Sequence, residues 1–237
     1  MSKRYELPPN IGMQNFASTN EPHLGRKPSY LNVGVVSSVS QGESVNLWLR
    51  PAYYDSLDGG YGHVKNAALS MGELNLTLSA HESYIRSLNI VKIESVRRNY
   101  TNLPGDRHSS WFLTLGAEQR WLTCTNCLAT NIKSGYGYAS SIWGDSVLIA
   151  GYLGGGFLGQ SMNADGIYAA GTGTINMNVS DSFSLRGEIE NRQFYNSTES
   201  IIYRSQARWY FSPQMDLRAT FARDKERELS LSFGLYW

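Results

Sequence analysis

From residue 30 onward, apolar and polar side chains alternate. The last stretch is the clearest: Leu229, Leu231, Phe233, Leu235 and Trp237 share one phase, and Ser230, Ser232, Gly234 and Tyr236 the other. A two-residue period sends successive side chains to opposite faces of an extended chain, so each such run reads as a strand. Met215, Leu217, Ala219 and Phe221 alternate in the same way with Asp216, Arg218 and Thr220, as do Phe183, Leu185 and Ile189 with Ser184, Arg186, Glu188 and Glu190. Turn signals separate the runs, among them Gln41-Gly42, Gly144-Asp145, Ser180-Asp181-Ser182 and Ser212-Pro213-Gln214. Strands are expected near 30–39, 43–52, 68–79, 84–96, 110–122, 128–141, 146–158, 166–179, 183–195, 200–211, 215–223 and 228–237. Many of these reach ~10 residues, against ~5–6 for an average soluble strand. A strand that crosses a bilayer needs about 9–11.

Alternation suits a soluble sandwich as well as a membrane barrel. Strand length and the even count favour the barrel. So do aromatics near strand ends (Trp48, Trp111, Trp121, Trp143, Tyr152, Tyr195, Trp209, Tyr210 and Trp237), which would form interfacial girdles. The closing run with Phe233, Leu235 and Trp237 resembles the carboxy-terminal insertion signal of Gram-negative outer-membrane barrels. A long apolar edge strand is an aggregation hazard that closure removes. The expected fold is therefore all-β: a transmembrane antiparallel up-and-down β-barrel of about 12 strands over residues 29–237, in the bacterial outer membrane. Its expected partners are outer-membrane lipid and the barrel insertion machinery.

Composition narrows the alternatives. The chain has 237 residues, only 17% of them charged, with 6 Trp, 15 Tyr and 8 Phe. A mean hydropathy of −0.34 is too low for a helical membrane protein, and the aromatics argue against disorder. A net charge of +1 gives no electrostatic case for nucleic acid. Residues 146–164 carry no charge, but five glycines make them a poor helix. Their G-x-G-x-x-G at Gly154, Gly156 and Gly159 has no helix after it, so the nucleotide reading fails its context test. Residues 1–28 lack an apolar signal segment and read as a periplasmic linker, the tail of something preceding it.

With a periplasmic C-terminus, the short turns at 142–145, 180–182 and 212–214 fall in the periplasm. The same parity puts the two longest connections, 53–66 and 97–109, there as well, and long loops usually mark function. Tyr53, Tyr54, Asp55, Asp58, Tyr61 and His63 are accordingly candidates for docking a periplasmic partner, with a structural turn as the alternative.

Arg50, Glu118, Arg120, Arg186, Glu188, Glu190, Arg192, Arg204, Arg208 and Arg218 lie mostly on the polar phase. Both signs in one interior imply a lumen filled by paired charges, because an unpaired buried charge is costly; the alternative is a substrate pore or active site. Cys124 and Cys127 form a C-x-x-C without the βαβ context of a redox motif and without further cysteines for zinc. An oxidising periplasmic route favours a local disulfide, and the tight geometry of so short a ring leaves reduced thiols as the alternative. His23, His63, His81 and His108 show no ligand spacing, and no G-x-S-x-G accompanies them, so neither a metal site nor a catalytic residue is assigned and no cofactor is expected. The sequons at Asn75, Asn99, Asn178 and Asn196 carry no meaning on bacterial strands.

Several segments point to a family. Pro22-His23-Leu24-Gly25-Arg26-Lys27-Pro28-Ser29 leads into the first strand, and Arg50-Pro51-Ala52-Tyr53-Tyr54-Asp55-Ser56-Leu57-Asp58 closes the second. Ser110-Trp111, Cys124-Thr125-Asn126-Cys127-Leu128 and the Gly-rich strand follow. Together they resemble the carboxy-terminal barrel region of the Lnb-type proteins, over roughly residues 22–237, with 50–58 the most specific piece. That resemblance implies a preceding periplasmic cysteine-dependent domain associated with lipoprotein N-acyl transfer. Its catalytic Cys and His would lie upstream, so none is carried over; Tyr54 stands where similar proteins often have a histidine. The leading expectation is a barrel that anchors or positions a periplasmic domain of the same protein. An autonomous outer-membrane enzyme acting on lipid or peptide, and a small channel or surface binding protein, are the alternatives.

Overall fold

The alternating runs pair into one antiparallel sheet that closes on itself. The computed structural model describes residues 26–58, 67–80, 82–96, 109–122, 124–143, 146–159, 166–196 and 199–237. In chain order the strands are β1 (Tyr30–Ser38), β2 (Gly42–Arg50), β3 (Ala52–Tyr54), β4 (Ala67–Leu78), β5 (Ser83–Ser95), β6 (Ser109–Gln119) and β7 (Leu128–Ile142). There follow β8 (Val147–Gly159), β9 (Ile167–Ser180), β10 (Phe183–Phe194), β11 (Glu199–Ser212), β12 (Met215–Arg223) and β13 (Arg227–Tyr236).

Apart from β2 and β3, which both pair with β4, each strand pairs with its sequence neighbour, and β1 pairs with β13 to close the ring, Tyr30 opposite Tyr236. β2 and β3 are one span interrupted at Pro51. Leu49 pairs with Leu74 and Ala52 with Met71, so the register on β4 is continuous across the break. Proline has no amide hydrogen to donate to the ladder. Opposite it stands Gly72 at φ 69°, a left-handed conformation that glycine adopts without a steric penalty. Twelve spans therefore form the barrel. β6 stops at Gln119, short of the expected end, although Arg120 N still donates to Cys127 O (3.2 Å) as the next rung of its pairing with β7.

The apolar phase faces outward: Leu229, Leu231, Phe233, Leu235 and Trp237 are all exposed along β13 and the residue after it. Among the expected girdle aromatics, Trp111, Trp143, Tyr195, Trp209 and Trp237 do face out. Trp48, Tyr152 and Tyr210 do not. They occupy the inward phase of their strands, Tyr152 and Tyr210 being only 4% and 6% exposed. Parity, not proximity to a strand end, decides their side.

Candidate functional site

Both termini of the barrel wall, Tyr30 and Tyr236, lie at one end of the barrel, here called the terminal end. There the inward phase of β1, β2, β11, β12 and β13 brings together Tyr30, Arg50, Arg208, Tyr210, Asp216, Arg218 and Tyr236. The strands thus supply three guanidiniums and a single carboxylate, and Arg208 stands directly opposite Arg218. Like charges in that position repel, and buried charge without a counter-ion costs several kcal/mol.

The two missing anions come from the segment after β3. Residues 55–58 turn into the lumen as a tight loop: Asp58 N donates to Asp55 O (3.1 Å), Leu57 N to Asp55 Oδ1 (2.9 Å) and Asp55 N to Asp58 Oδ2 (2.6 Å). Asp55 then meets Arg50 (3.1 Å), Arg208 (3.1 Å) and Arg218. Asp58 meets Arg50 (2.9 Å) and Arg208 (2.6 Å). Asp216 takes Arg208 Nε and lies 3.6 Å from Arg218 Nε. Three phenols complete the cluster: Tyr30 donates to Asp216 (2.8 Å), Tyr236 to Asp58 (2.8 Å) and Tyr210 to the carbonyl of Leu57 (2.7 Å). The Arg50, Arg208 and Asp216 side chains are fully buried. Burial alone would raise the Asp55 carboxyl, but Arg218, Arg208 and Arg50 hold it well below the ordinary carboxylate range. Asp58 is likewise lowered: Arg208 and Arg50 outweigh burial and the neighbouring Asp55. From the N-terminal side, the Arg26 guanidinium lies 3.0 Å over the Tyr210 ring.

A second network lies farther along the lumen. Arg186 bridges Glu94 (3.0 Å) and Glu188 (3.3 Å), and Arg204 also reaches Glu188 (3.3 Å). Beside it, Glu190 holds Lys133 (3.2 Å) and Arg192 (2.9 Å), and Arg192 reaches Glu118 (3.1 Å). A mixed-charge cavity of about 310 Å³ runs along the lumen from Asp55 and Arg218, past the second network, to Arg86, Asp224 and Glu228 at the other end. At the far end, Arg86 pairs with Glu228, and Asp224 accepts from Leu122 N (2.8 Å). Here Arg120 packs over Phe194 and Trp121, and Cys124 and Cys127 are joined as a disulfide.

Of the candidate docking residues, Asp55 and Asp58 spend their carboxylates inside the barrel. Tyr54 ends β3 beside the lumenal cavity. The Tyr53 side chain, Tyr61 and His63 lie outside the described residues, as do all four histidines. Sequence reasoning did not single out Tyr30, Glu94, Lys133, Asp216 or Tyr236. Following the inward phase through every strand, including for neutral phenols, would have found them.

The solved structures with a similar fold include the KdgM porin, 9% identical with a TM-score of 0.51 over 88% of this chain and 99% of that one. The NanC porin is 10% identical with a TM-score of 0.51 over 87% of this chain and 98% of that one. At such identities the likeness is one of fold. The closed sheet with its outward apolar belt is an outer-membrane β-barrel, the architecture of those porins. No curated protein matches the sequence. One family model does, over residues 19–237, and the chain belongs to that family, the domain of unknown function DUF7840.

Proposed function

We propose that this barrel is a closed outer-membrane anchor that positions a preceding periplasmic domain, and not an open pore. The observation that carries this reading is the inserted loop: Asp55 and Asp58 neutralise Arg50, Arg208 and Arg218 inside the terminal end, where a conducting channel would need a water-filled path. Arg26 over Tyr210 ties the segment before β1 to the same plug, which supports a fixed geometry between the barrel and whatever precedes it. On the Lnb-type resemblance, that domain would act in lipoprotein N-acyl transfer. The terminal end then faces the periplasm.

Conductance of the full chain in planar bilayers tests the reading. The expected result is no steady open state for the wild type and added current in D55N/D58N, where the plug loses its anions. A steady ohmic current through the wild type would overturn the anchor reading in favour of a channel. Turnover of a lipid or peptide substrate by this chain alone would instead make it an enzyme in its own right.

A further inference from the structure

The hairpin joining β12 to β13 carries an unbroken alternation of sign: Arg223-Asp224-Lys225-Glu226-Arg227-Glu228. The sheet sorts these charges by side. Asp224 turns inward, accepting from Leu122 N (2.8 Å) and Glu226 N (3.0 Å), and Glu228 pairs with Arg86. Arg223 and Arg227 are exposed on the outward phase, directly opposite one another. Among the described residues neither arginine has an ion-pair partner. Lys225, at the tip between them, packs over Trp121 (3.7 Å).

Their height matters as much as their charge. The same outward phase carries Phe221 and Leu229 two residues back along the strands, with Leu231 beyond, all exposed in the apolar belt. At ~3.4 Å per residue, the Arg223 and Arg227 backbones stand about 7 Å along the strands from that apolar pair, or about 5 Å along the barrel axis at a strand tilt of ~40°, on the rim side of the apolar belt. Tyr203, exposed and opposite Arg223 on β11, marks the same level. The outward acids of this rim stand apart: Ser37 of β1 separates Glu43 from β13, and Glu199 is hydrogen-bonded by Asn191 (3.0 Å). Like charges directly across an antiparallel pair destabilise it, and an anion shared by both guanidiniums would relieve that repulsion. Arginine matches phosphate oxygens with paired N–H donors.

We propose that Arg223 and Arg227 clamp the phosphate-bearing headgroup of a membrane lipid at the far rim of the barrel. The test is native mass spectrometry of the full chain in neutral detergent, titrated with phosphatidylglycerol, with bisphosphorylated lipid A and with phosphatidylcholine. Folding of each variant is checked by heat-modifiable gel migration. Wild type is expected to retain the two anionic lipids over phosphatidylcholine, and R223Q/R227Q to bind them about thirty-fold more weakly, the combined worth of two basic residues at an anionic surface. R223K/R227K keeps the charge but loses the paired N–H donors, so its binding should fall between that of wild type and R223Q/R227Q, whereas E43Q should retain all of it. Should the double variant fail to fold, R223Q and R227Q singly should each lose about five-fold. Undiminished lipid retention by the glutamine variants would overturn the proposal. So would inorganic phosphate competing as well as lipid, which would make the pair a simple anion site.

Discussion

Arg50 Nη2 stands 2.9 Å from Asp58 Oδ2, so the guanidinium that ends β2 is neutralised by a carboxylate from the loop its own strand leads into. The Arg50 side chain is fully buried. Replacing it with methionine leaves two largely buried aspartates sharing fewer cations. R50M is expected to lose about 3 kcal/mol of stability, the lower end for breaking a buried ion pair, read as a shift in the denaturant midpoint in detergent. An unchanged midpoint would mean that Arg208 and Arg218 suffice.

The plug also has a defined acid limit. Asp55 and Asp58 have folded pKa values below the unfolded value of ~3.9. A depressed carboxyl stabilises the fold fully above its unfolded pKa, and the contribution is lost as pH falls towards the folded value. Protease sensitivity of the 50–58 segment should therefore stay constant from pH 7 to about 5 and increase only below about 4. A rise in sensitivity between pH 7 and 5 would contradict this assignment of the charges.

Two glycines on opposite sides of the wall should respond differently to the same change. A Cβ on Gly234 would collide with the Asp216 carboxylate and the Tyr30 phenol, whereas one on Gly151 would meet nothing within 4 Å. G234A is expected to cost about 1–3 kcal/mol through overpacking, and G151A to be nearly neutral. Thermal unfolding of the two variants side by side decides it; equal midpoints would show that the plug yields freely.

The barrel was legible because lipid and lumen impose one period on every strand, so Leu229 and Ser230 already declare their sides. The phase of Arg186, Glu188, Glu190 and Arg192 was legible for the same reason. Their partners were not: Glu94 and Arg186 are 92 residues apart, and only curvature of the closed sheet brings them to 3.0 Å. The inward turn of residues 55–58 was hidden too, since a loop has no period to read. A charge count at the terminal end was the available clue, three strand-borne arginines facing a lone Asp216. Trp48, Tyr152 and Tyr210 misled because nearness to a strand end suggested a girdle while their parity pointed inward.

The seam between β1 and β13 lies within the terminal-end cluster, with Tyr30 and Tyr236 paired across it. Arg50 and the two loop aspartates come from the first quarter of the chain, and Arg208, Asp216 and Arg218 from its last eighth. The plug can therefore form only after the final strand has found the first. Until that moment three arginines lack their full complement of anions, and afterwards six charges bind the two ends of the polypeptide together. The cluster works as a latch on the finished barrel, holding shut the one pairing in the sheet that joins strands remote in sequence.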